Sequence, residues 1–203
     1  MSKNIQLIAW VAFIAIAGGV VVYTLQNRNG NDGTASATDN SEAQHVEILK
    51  YSDYSCPACK AYIPIQKELE RQFGDKLTIE YRHFPLGGFE HSELAARAVE
   101  AAAEQGRREE MHDKVFEEQQ VWSSGNAEEI FMSYAEEFGL DQEQFERDLH
   151  SDEIRERVQR QKSEGSRRMV QGTPTFFING QRVQQNPQNY SQFESIVEMH
   201  MYQ

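Results

Sequence analysis

Hydrophobic positions divide the chain into four regions of different character. From Ile5 to Leu25 the sequence is apolar except for Gln6 and Thr24, about the length that crosses the hydrocarbon core of a bilayer. From Asn27 to Gln44 there is no large apolar residue, only Asn, Gly, Ser, Thr, Ala and Asp with a few others, the composition of a flexible tether. Val46-Glu47-Ile48-Leu49-Lys50-Tyr51 then reads as a buried strand. A helix beginning at Cys56 follows, with Ile65, Leu69 and Phe73 at four-residue spacing, Gly74 as its stop, and a kink expected at Pro64. Leu77 to Phe84 reads as a second strand, halted by Pro85 and Gly87-Gly88. From Ser92 to Met169 proline is absent and apolar residues recur at helical spacing, with breaks near Gly106, Gly125 and Gly139, so four or five helices fit. Strand character returns at Thr175 to Ile178, Asn179-Gly180 is a hairpin turn, Arg182-Val183 opens the partner strand, and Tyr190 to Met201 reads as a closing helix.

Charge and composition narrow what such a chain does. A net charge of −12 argues against nucleic acid and against an anionic bilayer surface as partners. Lys3 and the amino terminus precede the first apolar run and Arg28 follows it, a weak charge bias; the polar tether and dithiol region that follow favour an anchor with its N-terminus inside. A cleaved signal peptide is the rival, because Ala15-Ile16-Ala17 has the small-x-small form. Cleavage there would leave Val20-Val21-Val22-Tyr23 as an exposed apolar end, which an anchor explains better. The expected organisation is an anchor over 1–26, a tether over 27–44 and one domain over 45–203, with a helical insertion at about 90–169.

The chain contains two cysteines, Cys56 and Cys59, set in Tyr54-Ser55-Cys56-Pro57-Ala58-Cys59-Lys60 where strand gives way to helix. A sulfur at a helix N-terminus faces unpaired backbone N–H groups that favour an anion, and the thiolate is the reactive species. Pro57 suits the first helical position, and Cys59 lies one turn on along the same face. The reading is a redox-active dithiol: Cys56 the nucleophile, Cys59 the resolving thiol, Pro57 and Ala58 the intervening dipeptide. Half of a zinc site lacks the other ligands, and a purely structural bridge closing so small a loop would stabilise little. An oxidising compartment suits a chain with no spare thiol. No metal or organic cofactor is indicated.

The element order, Cys-Pro-Ala-Cys at the first helix, and Gly172-Thr173-Pro174-Thr175-Phe176-Phe177 near the end together resemble the DsbA-like thiol:disulfide oxidoreductases, the membrane-anchored type included. Ser52-Asp53-Tyr54, Arg82-His83-Phe84-Pro85-Leu86, Gln105-Gly106 and Met111-His112-Asp113 belong to the same resemblance. It implies an α/β thioredoxin fold with an inserted all-helical subdomain, here preceded by one transmembrane helix. It also implies that Pro174 is a cis-proline facing the dithiol, with Thr173 beside it, where an extended substrate would pair as an added strand.

Two departures stand out. Lys50 occupies the position six residues before the first cysteine where the family often carries a buried carboxylate; it either tunes the dithiol or lies at the strand edge with its amino group in water. Glu47 and Glu80 are candidate replacements for that carboxylate. Arg108-Glu109 replaces an aromatic pair, which touches the packing of the insert. His83, His91 and His112 read as packing or hydrogen-bonding residues.

The helical insert and the Pro-Ala dipeptide favour an oxidase that gives its disulfide to reduced exported proteins on the outer side of the cell membrane. By resemblance, a quinone-linked membrane oxidase of the DsbB or vitamin K epoxide reductase type would reoxidise it, and a monomer is the default. The rivals are an extracytoplasmic reductase, such as one serving cytochrome c maturation, and a non-catalytic thioredoxin-like binding or chaperone module.

Overall fold

The structure is a computed structural model that describes residues 43–203. The expected anchor and nearly all of the tether lie outside the described residues. No helix among the described residues is long and apolar enough to cross a membrane. Gln44, counted with the tether from its composition, already donates its backbone N–H to the Met201 carbonyl at 2.8 Å.

A four-stranded sheet carries the domain. Strand β1 (Val46–Ser52) pairs parallel to β2 (Leu77–His83) and antiparallel to β3 (Thr175–Ile178), which pairs in turn with the short edge strand β4 (Gln181–Arg182), giving the order β2-β1-β3-β4. Asn179 and Gly180 both take positive φ, 47° and 78°, as a two-residue hairpin turn requires. Alternation along β1 turns Val46 and Ile48 into a core that also contains Leu69, Phe176, Phe193 and Val197. Lys50 shares their face of the strand. Tyr51, on the opposite face, packs edge-on against Phe84 and Phe177.

The helix expected from Cys56 is two helices. α1 (Pro57–Ala61) stops at Tyr62, and α2 (Ile63–Phe73) starts there with Pro64 in its first turn. Proline is tolerated in a first turn, so it marks a new start and not a kink within one helix. α2 ends at Gly74, whose φ of 50° few other residues adopt.

Between β2 and β3 lie six helices, one more than the periodicity suggested: α3 (Ser92–Ala103), α4 (Arg108–Glu117), α5 (Gln119–Ser123), α6 (Ala127–Glu137), α7 (Gln142–His150) and α8 (Asp152–Arg167). The breaks at Gly106, Gly125 and Gly139 fall where expected. Those at Glu118 and Ser151 carry no glycine; Ser151 instead caps α8, its hydroxyl accepting from the Ile154 N–H. α9 (Tyr190–Met201) closes the domain. The insert is anchored where α8 crosses β1: a Cβ on Gly165 would stand 2.8–2.9 Å from Phe84 and Tyr51, so only glycine permits that approach.

Candidate functional site

Cys56 is the N-cap of α1, extended at φ −84°, ψ 116°, with Pro57 as the first helical residue. Its backbone N–H donates to the Asp53 carbonyl at 3.1 Å, closing a turn between β1 and α1. Asp53 holds that turn. Buried, its carboxylate accepts from the Ser55 N–H (2.8 Å), the Ser92 hydroxyl (2.6 Å) and the Leu86 N–H (2.7 Å), tying the dithiol loop to the loop after β2 and to the start of α3. Tyr54 is pinned at both ends: Gln119 Nε2 donates to its carbonyl at 2.5 Å, and its hydroxyl pairs with His112 Nδ1 at 2.7 Å.

The two thiols stand in unlike environments. Both are free in this structure; Cys56 retains 7% exposure while Cys59 is fully buried among residues of the insert core. The Cys59 thiol stabilises a Cys56 thiolate and, against the opposing effect of burial, brings the Cys56 pKa down to about 5; Thr173 and the N–H groups of Cys59 and Ala58 add to this. Burial, and the same contact seen from the other side, push Cys59 far above the ordinary thiol range. Cys56 is therefore thiolate at neutral pH and Cys59 is thiol. Pro57 and Ala58 are exposed between them.

The Thr173–Pro174 peptide bond is cis. As a thiol, Cys56 donates to the Thr173 carbonyl at 3.4 Å. The Thr173 hydroxyl oxygen, buried without another partner, is left to serve the thiolate. Asn186 Nδ2 holds the loop by donating to the Pro174 carbonyl at 2.8 Å.

Lys50 does not reach solvent at the strand edge: it is fully buried beneath the dithiol. Its ammonium donates to the Cys59 carbonyl at 3.2 Å and to Gln66 Oε1 at 2.7 Å, and stands 5.5 Å from the ring centroids of both Tyr81 and Phe116. Burial lowers its pKa to about 8, opposed by the electrostatic influence of the two cysteines beside it, Cys59 and Cys56. Glu47 and Glu80, the candidate replacement carboxylates, are both exposed and are not brought to the dithiol.

The histidines occupy structural positions. His83 bonds the buried Glu100 at 2.8 Å, and His91 uses its carbonyl to accept from the Ala95 N–H at the start of α3. His112 is kept neutral, its pKa pulled down to about 3 by burial and by the surrounding cations. Arg108, the departure in the insert, grips Glu100 with two hydrogen bonds of 2.8 and 2.6 Å. Four residues that hold the site or its scaffold were given no role in the sequence reading. Asp53 was legible as a turn-forming Asp just before the dithiol; Gln66, Gln119 and Glu100 look like ordinary helix surface and carry no signal. Among the described residues, no three His, Cys, Asp or Glu side chains are grouped as metal ligands would be.

This arrangement has known counterparts. A family model described as thioredoxin matches residues 33–199. A Na(+)/H(+) antiporter NhaA 1 from Mycobacterium sp. (strain KMS) is 37% identical over 140 residues, covering 66% of this chain but only 22% of the antiporter; the chain thus spans about a fifth of the length of such curated relatives. A probable disulfide bond formation protein D from Bacillus anthracis is 29% identical over 184 residues, covering 82% of this chain and 83% of that one. Among solved structures, a thioredoxin-like oxidoreductase from Silicibacter pomeroyi DSS-3 aligns with a TM-score of 0.65 at 28% identity, over 78% of this chain and 87% of that one. Fold, dithiol surroundings and sequence likeness agree: the chain belongs to the thioredoxin family.

Proposed function

We propose that this chain exchanges disulfides with protein substrates outside the cytoplasm, in the oxidising direction, with Cys56 as nucleophile and Cys59 as resolving thiol. A substrate thiolate attacks Cys56 of the closed bridge and Cys59 leaves. The substrate's second thiolate then attacks its own bridged sulfur, releasing an oxidised substrate and a Cys56 thiolate. The observation that carries the direction is the contrast between the two thiols. A Cys56 pKa near 5 stabilises the reduced form, and what stabilises the dithiol makes its disulfide more oxidising. The partial exposure of Cys56 against full burial of Cys59 supports attack on Cys56 alone.

Thr173 and Pro174 border Cys56 and would receive the substrate as an extended segment. The partners in this reading are reduced exported proteins and a quinone-linked membrane reoxidase of the DsbB or vitamin K epoxide reductase type. A monomer held at the cell membrane by residues 1–26 completes it. The Bacillus anthracis relative, whose name places it in disulfide bond formation, is consistent with this assignment.

The test is equilibration of the full chain with glutathione, counting reduced protein. A reduction potential above about −180 mV supports a disulfide donor, and one near about −270 mV makes the protein a reductase. Cys59→Ala should accumulate mixed disulfides with substrates and Cys56→Ser should form none; a Cys56→Ser chain that keeps full function would favour a binding module.

A further inference from the structure

Lys50 sits in a site whose charge is balanced only part of the time. Among the described residues it makes no ion pair, and its polar neighbours are two neutral acceptors, the Cys59 carbonyl and Gln66 Oε1. Two acceptors satisfy the two N–H bonds of a neutral amine. The third N–H of an ammonium has only the faces of Tyr81 and Phe116. Burying an ammonium with no counter-charge is strongly unfavourable. In the reduced protein the Cys56 thiolate supplies the counter-charge. In the disulfide form no thiolate exists.

We propose that Lys50 gains a proton each time the Cys56–Cys59 disulfide is reduced and loses it on reoxidation, so that thiolate and ammonium appear and vanish together. This rests on the dithiol chemistry proposed above.

The balance closes. A substrate dithiol brings two electrons and two protons. Its first thiolate attacks Cys56 Sγ; the Cys56–Cys59 bond breaks and its electron pair goes to Cys59 Sγ, which takes one proton. The second substrate thiolate breaks the mixed disulfide, and that electron pair stays on Cys56 Sγ as thiolate. The remaining proton goes to Lys50, turning amine into ammonium. The enzyme therefore stores both electrons and both protons, and a reoxidant that removes the electrons takes both protons with them.

Every element packed around Lys50 fits a proton that moves. α1 brings Cys56 and Cys59; α2 brings Gln66; β2 brings Tyr81, which is under the electrostatic influence of Glu70, Asp113 and Glu109; β3 brings only the uncharged Phe176. α4 brings His112, which packs on the same two rings as Lys50, with centroids 4.2 Å from Tyr81 and 5.1 Å from Phe116. His112 Nε2 is buried without a partner, and His112 and Tyr81 together line a cleft of about 700 Å³ between β2 and the insert. Lys50 itself does not line the cleft, so in this proposal a proton leaving it reaches solvent past Tyr81 and His112.

The test uses the full chain labelled with 13C at lysine Cε, titrated by NMR in both redox states set by glutathione, with the Lys50 signal assigned from Lys50→Met. The expected result is a Lys50 midpoint at least about one pH unit higher in the dithiol than in the disulfide form, a tenfold difference in proton affinity. A second reading needs no assignment: the ratio of wild-type to Lys50→Met equilibrium constants with glutathione should change about tenfold between pH 7 and 9, whereas a packing role or a fixed charge leaves it constant. A bridge that opens and closes while Lys50 titrates identically in both states overturns this inference and leaves the function standing. A chain whose bridge glutathione cannot form overturns both.

Discussion

Lys50 under the dithiol and Glu100 in the insert are both fully buried, and they are treated in opposite ways. Glu100 is saturated. His83, Arg108 and Arg157 all donate to its carboxylate, Gln161 approaches at 3.4 Å, and Arg157 also pairs with Glu104. Burial opposes its ionisation, but these donors outweigh it and hold the carboxyl well below the usual range. Lys50 has neutral acceptors and two aromatic faces. A satisfied buried charge gives a rigid joint, here between β2, α3, α4 and α8; an unsatisfied one gives a group whose protonation answers to its surroundings. The first belongs to the scaffold and the second to the chemistry.

The comparison is broken most directly by exchanging each charge for a neutral group. Glu100→Gln should cost about 3 kcal/mol or somewhat less in urea unfolding, because charged hydrogen bonds are lost in a buried site, while the glutathione equilibrium stays as in wild type. Lys50→Met should behave in reverse in the disulfide form, with stability kept or raised, since an apolar residue replaces a buried amino group that has no ion partner there. Equal effects of the two changes on stability would erase the distinction.

Gly165→Ala tests the steric half of the same joint. Its Cβ would press on Tyr51 and Phe84 and should cost about 1–3 kcal/mol by overpacking, read as a lower urea midpoint with the slope unchanged.

The dependence on pH separates the two regions again. Glu100 has a folded pKa below its unfolded value, so its contribution is present above about pH 4.3 and is lost as pH falls through the depressed folded value. This loss should be the same in both redox states. Cys56 has a folded pKa of about 5 against roughly 8.5 unfolded, so its contribution is complete above about pH 8.5 and disappears as pH falls through about 5, in the reduced protein only. Unfolding curves of the two redox states should therefore draw together on acidification across that window; a constant gap would mean that Cys56 carries no thiolate.

Much of this was legible in the chain itself. The strands β1, β2 and β3, the Asn179-Gly180 turn, the limits of α9 and the placement of Cys56 and Pro57 at a helix start follow from local preferences: side-chain alternation, positive φ, and a proline free of the N–H it lacks. Such features depend on neighbours within a few residues, so sequence order carries them. The split of α1 from α2 at Tyr62 was misread as a kink because Pro64 is compatible with both, and only packing on the sheet selects the new start.

Tertiary structure decided the rest. Whether Lys50 ends in water or under Cys59 depends on what covers the strand, and the covering groups, Gln66, Tyr81, His112 and Phe116, come from α2, β2 and α4. Glu100 and Arg108 are eight residues apart, yet His83 and Arg157, which complete their cluster, lie 17 and 57 residues from Glu100. Sequence alone determined that this chain carries a dithiol at a helix start within strands and helices in a given order. The assembled fold determined which buried charge is locked and which is free to titrate, because the energy of a buried charge is set by groups brought together in space and not by its neighbours in the chain.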